Sequence, residues 1–369
     1  MPAAIAAGAL LRPACFRLPD TWSFLMADTG LSRLVSDLLG PAGASLAFAQ
    51  LTIAPALLRP PADTLSRAEL AQALNMALFV DLLKRVPVGA AYVAELQAAG
   101  YKVVFDHGAL RTVAWDCGSL PAGEAAIARV LRPLGFEPAA TYPLPRLRMT
   151  GRAWRHQDVP QDIAQFFVSE LHPERFSAPF QAAVSRVVGA SRDPLSPGDL
   201  GLLQRLQQEG SLPWAEARAL LPRLLRCFGR QHELFALDDY HLLLAESAEM
   251  AWISTEGNAF NHATDRVADL EALARAQRER GRPLKDSIEV SATGRVRQTA
   301  FRAAEVEREF LTPAGVVRLG VPGSFYEFIE RHPLPAEPAS GQPPGLDLAF
   351  DAANATGIFQ MTRKEAALA

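Results

Sequence analysis

The chain of 369 residues has only three cysteines, Cys15, Cys117 and Cys227, odd in number and far apart. That excludes a disulfide framework and a zinc site built on paired thiolates, and it points to a reducing, cytoplasmic compartment. Excess positive charge is also missing: 37 Lys and Arg against 40 Asp and Glu leave a net charge of −3, with no electrostatic footprint for nucleic acid. No run of about 18 uninterrupted apolar residues occurs, so no membrane-spanning helix is expected. The short apolar stretch AAIAAGALL near the start has no basic segment before it, and residues 1–19 are expected to be a disordered leader rather than a targeting signal. What the chain does have is apolar content, 49%, ample for a large core. The length suits two or three domain-sized units, or one pseudo-symmetric body with an insert.

Periodicity divides the chain into five parts. Residues 1–100 hold the leader and a helical region: LSRLVSDLLG stops on Gly40, and residues 66–84 carry apolar side chains at three- and four-residue spacing, capped by Thr64 or Ser66. Residues 101–175 read as strand, helix, strand, strand, strand, with the first strand over 101–115 (YKVVFDHGALRTVAW). There Val104, Asp106 and Gly108 take one face, and Val103, Phe105, His107 and Ala109 the other. A helix follows over 121–135, then β-like runs over 137–144, 146–156 and 163–171. Residues 176–250 form a helical insert, in which His232 and His241 read as surface or capping histidines.

Residues 251–335 restart the pattern. A strand over 252–264 carries His262, a helix over 266–280 is capped by Thr264 or Asp265, and a hairpin spans 287–302 around Thr293-Gly294. GSFYEFIERH, 323–332, is the last strand. Residues 336–369 are a loop and a short TGIFQ run, 356–360, placed to act as a lid. The implied fold is α+β: two modules of strand-helix-strand-strand-strand form a cupped half-barrel, with N-terminal helices and a helical insert.

Two strands carry the chemistry. His107 precedes Arg111 by four residues in FDHGALR, as His262 precedes Arg266 in FNHATDR, and the histidines are 155 residues apart (262 − 107). In a cupped sheet the matching strands face one cavity. The missing member of a two-histidine, one-carboxylate triad then falls on the last strand. Alternation puts Glu327 with Phe325, Ile329 and Arg331, and Glu330 with Tyr326, Phe328 and His332. Glu327 is favoured because a carboxylate in an aromatic strand is costly to bury without a cation. The first module offers Phe167 or Val168 at the matching place, so one metal site is expected, not two. Such a trio suits Fe(II), leaving three open positions on one side, with zinc as the other metal these ligands accept. Arg111 reads either as an ion-pair partner or as a bidentate clamp for a carboxylate. Gln298, in RQTAF, reads either as an inward polar group or as a hairpin hydrogen-bonder.

At these residues the sequence resembles the 2-oxoadipate dioxygenase/decarboxylase (hydroxyglutarate synthase) family, once a domain of unknown function, of the vicinal-oxygen-chelate superfamily. The matching pieces are FDHGALRTV, the run from SAEMAWI to NAFNHATDR, RQTAF and the strand holding FIER, over about residues 70 to 360. The resemblance implies two vicinal-oxygen-chelate-like modules and an Fe(II) held by His107, His262 and Glu327. It also implies that Arg111 grips a substrate carboxylate in the catalytic site, and that the partners are a small 2-oxo acid and dioxygen, with 2-oxoadipate converted to 2-hydroxyglutarate and carbon dioxide. The glutamate strand resembles the FxEFIQR-like strand of 4-hydroxyphenylpyruvate dioxygenase, which favours Glu327. Departures are extra helical sequence before residue 70, a shorter chain after His262, and SFYEFIERH where family members read more like RFGEIEQRG. Ahead of TGIFQ, residues 352–355 differ from the VSAAGIF-like run of the family. Asn354, in that stretch, is expected to contact the substrate's far end, so the 2-oxo acid accepted is expected to depend on it. Two rival readings keep the same residues: a metal-dependent isomerase or lyase, and a non-catalytic binding protein with a degenerate site.

Overall fold

The structure, a computed structural model, describes residues 28–335 and 345–351. The leader, Cys15, Asn354 and the TGIFQ run lie outside the described residues. Helix α1 (Gly30–Gln50) begins on a capping box between Thr29 and Ser32 and breaks at Gly40, where φ is 75° and Pro41 follows. After β1 (Thr64–Ser66), α2 (Arg67–Arg85) starts on a second capping box, Ser66 with Glu69, and is buried along nearly its whole length. It packs on α1 and on the sheet, and α3 (Pro87–Ala98) follows it.

The first module comprises β2 (Phe105–Val113), α4 (Ala125–Leu131), β3 (Phe136–Leu144), β4 (Met149–His156) and β5 (Gln165–Leu171). The helical segment after it contains α5 (Ala178–Val188), α6 (Pro197–Glu209), β6 (Ser211–Pro213), α7 (Trp214–Arg226), α8 (Leu237–Glu246) and α9 (Ala248–Glu256). The second module runs through β7 (Phe260–Arg266), α10 (Leu270–Glu279), β8 (Glu289–Val290), β9 (Val296–Ala300) and β12 (Phe325–Arg331). Between its last two strands it carries a separate hairpin, β10 (Glu305–Thr312) with β11 (Gly315–Pro322).

Both modules join in one eight-stranded sheet of order β3-β4-β5-β2-β7-β12-β9-β8. Strand β2 is parallel to β5, β7 is parallel to β12, and β2 and β7 meet antiparallel at the centre. The register at that seam shows the duplication. His107 pairs with Thr264 and Ala109 with His262, so a shift of 155 residues (262 − 107, 264 − 109) exchanges the two pairs; Gly108 and Ala263, also 155 apart, face each other. A pseudo-two-fold axis therefore passes between β2 and β7, and the expected α+β class with paired modules in a curled sheet is the observed one.

Several expectations need correction. Residues 252–256, expected as strand, are helical: Ser247 caps α9 by accepting from Met250 N, and Met250, Ala251, Trp252 and Ile253 all pack into the core. Strand β7 starts only at Phe260 and runs through Arg266, so Asp269, not Thr264 or Asp265, caps α10. The helix expected over 121–135 is confined to α4, and the one expected through Tyr240 to Met250 is split at Ser247 into α8 and α9. The β10–β11 hairpin and the small β1–β6 pair were not expected at all.

Candidate metal centre

Because β2, β7 and β12 are neighbours, His107, His262 and Glu327 come from three adjacent strands and converge on one face of the sheet. Glu327 Oε2 lies 3.2 Å from His107 Nε2 and 3.3 Å from His262 Nε2. One potential ligand atom from each of the three lies within 4.8 Å of the others, and all three side chains are buried. The two imidazole rings meet edge to face at 84°. Glu330 points the other way: its Oε2 accepts from Leu270 N at the start of α10.

Each histidine is tied from behind. Asp106 Oδ1 sits 2.8 Å from His107 Nδ1. An ionised carboxylate only accepts, so Nδ1 carries the proton; in the neutral ring Nε2 keeps a lone pair for a cation, and in the charged ring Nε2–H donates to Glu327. Asn261 Oδ1 plays the corresponding part 3.2 Å from His262 Nδ1. Asp106 was expected on the opposite face from His107. It reaches the ring because the pairing of β2 with β7 slips between Phe105 and His107, a bulge that re-aims the side chain and turns Phe105 back to pack on Phe79 and Phe260. Arg331 and Arg266 then clasp Asp106: Arg331 Nη2 donates to Oδ1 at 2.8 Å and Arg266 Nε to Oδ2 at 2.7 Å. The second arginine of the repeat thus serves the histidine of the first module.

Burial favours the neutral form of Asp106, but the charges of Arg331 and Arg266 outweigh it and hold the carboxyl well below its usual range. Burial opposes the Glu327 anion in the same way, and the two imidazoles overcome it, again holding the carboxyl well below the usual range. The histidines differ. Burial opposes charge on both, yet at His107 the hydrogen bonds to Asp106 and Glu327 prevail and raise its pKa, whereas at His262 burial wins and lowers it.

The donor set fits a divalent cation. Glu327 Oε2, which faces the two imidazole nitrogens at 3.2 and 3.3 Å, accepts from Thr264 Oγ1 at 2.5 Å, and Oε1 is buried with no hydrogen-bond partner. A carboxylate oxygen orphaned in a dry site is costly unless a cation satisfies it. Among the described residues this is the one cluster of three such side chains. His232 is not part of it: its Nε2 bonds Ser254 O at 2.8 Å, and burial pushes its pKa down to about 4.

His107 and His262 open on a small cavity also lined by Arg111, Gln298, Phe167 and Phe350. Arg111 shares a β2 face with His107. Its guanidinium lies 4.9 Å over the Trp252 ring, and burial lowers its pKa to about 10 against the pull of Glu249. Gln298 Nε2 contacts Glu289 Oε2 at 3.4 Å. Register settles which residue stands opposite Glu327: Glu327 lies beside Thr264, two places on from the Phe325–His262 pair, and Phe167 lies beside Ala109, two on from the Gln165–His107 pair. Phe167, not Val168, is the counterpart, so the first module has no carboxylate there. Asp106, Thr264, Arg331 and Phe350 escaped the reading of the sequence, although Asp106 is adjacent to His107 and Arg331 ends the glutamate strand.

A sheet made of two strand-helix-strand-strand-strand modules, with two histidines and a glutamate buried at their seam, is the architecture of a glyoxalase-like metal-site protein. A glyoxalase-superfamily protein from Ralstonia eutropha JMP134 is 51% identical, with a TM-score of 0.81 over 87% of this chain and 98% of that one. The sequence model of the 2-oxoadipate dioxygenase/decarboxylase family matches residues 79–338, and the chain belongs to that family. Its fold is shared by the hydroxyglutarate synthase of Oryza sativa solved with 2-oxoadipate, at a TM-score of 0.63, 19% identity and coverage of 82% of this chain and 96% of that one. The 2-oxoadipate dioxygenase/decarboxylase of Pseudomonas putida is 27% identical over 198 residues, 49% of this chain and 41% of that protein. The corresponding protein of Mycobacterium tuberculosis is 27% identical over 231 residues, 58% of this chain and 54% of that protein. The chain thus spans about half the length of the curated relatives it matches. No helix among the described residues is long and apolar enough to cross a membrane.

Proposed function

We propose that the chain is an Fe(II)-dependent dioxygenase/decarboxylase of a 2-oxo acid, with 2-oxoadipate as its substrate. The observation that carries this reading is the buried His107–His262–Glu327 donor set, with its orphaned carboxylate oxygen, opening on a cavity that also holds Arg111. Bound there, ferrous iron supplies open positions for a bidentate 2-oxo acid and for dioxygen. The protein's own groups do the rest. Glu327 supplies the anionic ligand, and His107 and His262 are neutral donors whose tautomers Asp106 and Asn261 fix. Arg111, held over Trp252, pairs with a substrate carboxylate and sets the angle at which the chain enters. Gln298 hydrogen-bonds the substrate, and Phe167 and Phe350 keep water from the reacting carbons.

The overall conversion balances. The C1–C2 bond of 2-oxoadipate breaks and C1 leaves as carbon dioxide; one oxygen atom of dioxygen completes the new carboxylate at the former C2, and the other becomes the hydroxyl of 2-hydroxyglutarate. The test is to load the protein with Fe(II) without air, then add oxygen and 2-oxoadipate. Oxygen uptake matched by carbon dioxide release, both lost in Glu327→Ala, is the expected outcome. Neither being seen overturns the substrate assignment, and oxygen-independent turnover with zinc or nickel overturns the oxygenase reading in favour of an isomerase or lyase.

A further inference from the structure

The buried face of β12 holds a second charged group of which the proposed reaction makes no use. Arg331 is the sixth residue of FYEFIER after Phe325, the one opposite His262, and its side chain is fully buried. A buried guanidinium has five donors to satisfy, and here they are divided between two parts of the molecule. On one side Nε and Nη2 grip both oxygens of Asp106, the carboxylate that orients His107. On the other, Nη1 donates to Asp347 O and Ala349 O, both at 2.8 Å. The same guanidinium lies 5.3 Å over the ring of Phe350.

That second part is the segment 345–351, which supplies Phe350 and Asp351 to the cavity wall. Asp347 N bonds His332 O and its side chain takes Arg295 Nε at 2.8 Å; Gln165 Nε2 reaches Leu348 O, and Phe350 N donates to Tyr142 Oη at 3.0 Å. These contacts seat Phe350 edge-on against His107, ring centroids 4.8 Å apart, and against Phe167 at 4.9 Å. One wall of the cavity is therefore held by the residue that fixes the orientation of a metal-facing histidine through Asp106.

We infer that Arg331 is a positioning residue that couples metal occupancy of the His107–His262–Glu327 site to the docking of segment 345–351. A cation on His107 Nε2 strengthens the Nδ1–H bond to Asp106 and immobilises that carboxylate; Arg331, anchored on it, then holds the two carbonyls and Phe350 in place. Coupling of this kind is reciprocal, so docking of the segment must tighten metal binding by the same factor. The 2-oxo acid then meets a more firmly held apolar wall when the metal is present. This inference rests on the proposed function only in requiring that the site bind a divalent ion.

The test uses the full chain and Co(II), whose absorption reports its own binding. Hydrogen exchange of the amides of 345–351 is measured with and without Co(II) in the wild-type protein. Exchange there is expected to slow at least threefold on Co(II) binding, with α5 and α6, far from the site, unchanged. Arg331→Met should lower Co(II) affinity about 10–100-fold and abolish the metal-dependent slowing, and Tyr142→Phe, which loosens only the segment, should weaken Co(II) binding in the same direction. Arg331→Met leaves Asp106 paired with Arg266, so its charge is not stranded. A purely structural Arg331 would raise exchange everywhere and leave the metal-dependent increment intact, which overturns the inference. Co(II) binding in the wild type with no change at 345–351 overturns it and leaves the proposed function standing; no Co(II) binding at all overturns both.

Discussion

Burying a guanidinium beside one aromatic face is expensive, and Arg111 is kept charged there, its pKa lowered only to about 10. A charge held at a cavity wall is most useful to a partner that brings the opposite charge. Charge-assisted hydrogen bonds contribute about 1.5–3 kcal/mol, so Arg111→Met should raise KM for the proposed substrate, 2-oxoadipate, roughly 10–100-fold. The metal content should be unchanged, and steady-state kinetics beside metal analysis checks both. Asp265 presents the converse case on the far side of the sheet. Burial pushes its pKa up to about 7, although it accepts from Tyr92 Oη at 2.8 Å and Val104 N at 3.1 Å. A carboxyl whose folded pKa exceeds its unfolded value binds more protons when folded, so its ionisation destabilises the fold progressively as pH rises from about 4 to about 7. Asparagine can serve both partners without charge. Asp265→Asn should therefore match the wild type near pH 4 and exceed it by about 2–4 kcal/mol at pH 8, as urea unfolding at the two pH values would show.

At the scale of the elements, the seam between β2 and β7 has to be narrow. A Cβ on Gly108 would lie 2.3 Å from the Phe260 ring, which is itself wedged among Phe105, Phe166 and Phe228. Gly108→Ala should cost about 1–3 kcal/mol of stability by overpacking, measured as a lower denaturant midpoint with an unchanged slope. This seam also explains which elements could be read from the residues. Strands β3, β4, β5, β9 and β12 stood out as β-like runs, and α2 carried its own start signal in Ser66 and Glu69. The α9–β7 junction did not stand out, because AEMAWISTEGNAFNHAT is buried on every side and has neither period. The β10–β11 hairpin was missed for the opposite reason: both of its strands are largely exposed, so no apolar alternation marks them. Asp106 was lost because alternation assumes an unbroken register, and the bulge breaks it at that residue.

For the whole molecule, the pseudo-two-fold axis maps His107 onto His262 and Glu327 onto Phe167. The histidines are kept in both halves, while the carboxylate stands in one half alone. Symmetry then makes a strong statement about where a third ligand is able to stand: the two imidazoles, exchanged by the axis, should accept a carboxylate from either side. Glu327→Ala should lose Co(II) binding, and adding Phe167→Glu should recover affinity at least tenfold over that single variant. Recovery should fall short of the wild type for two reasons. Thr264, which donates to Glu327, has Ala109 as its counterpart, and a charge at position 167 would displace Phe350 from its packing at 4.9 Å. A Co(II) titration of the two variants decides the matter. If the double variant binds no better than Glu327→Ala, the duplication survives in the backbone alone, and the differences between the halves at Thr264, Asp106 and Arg331 have made the site one-sided beyond what one carboxylate can restore.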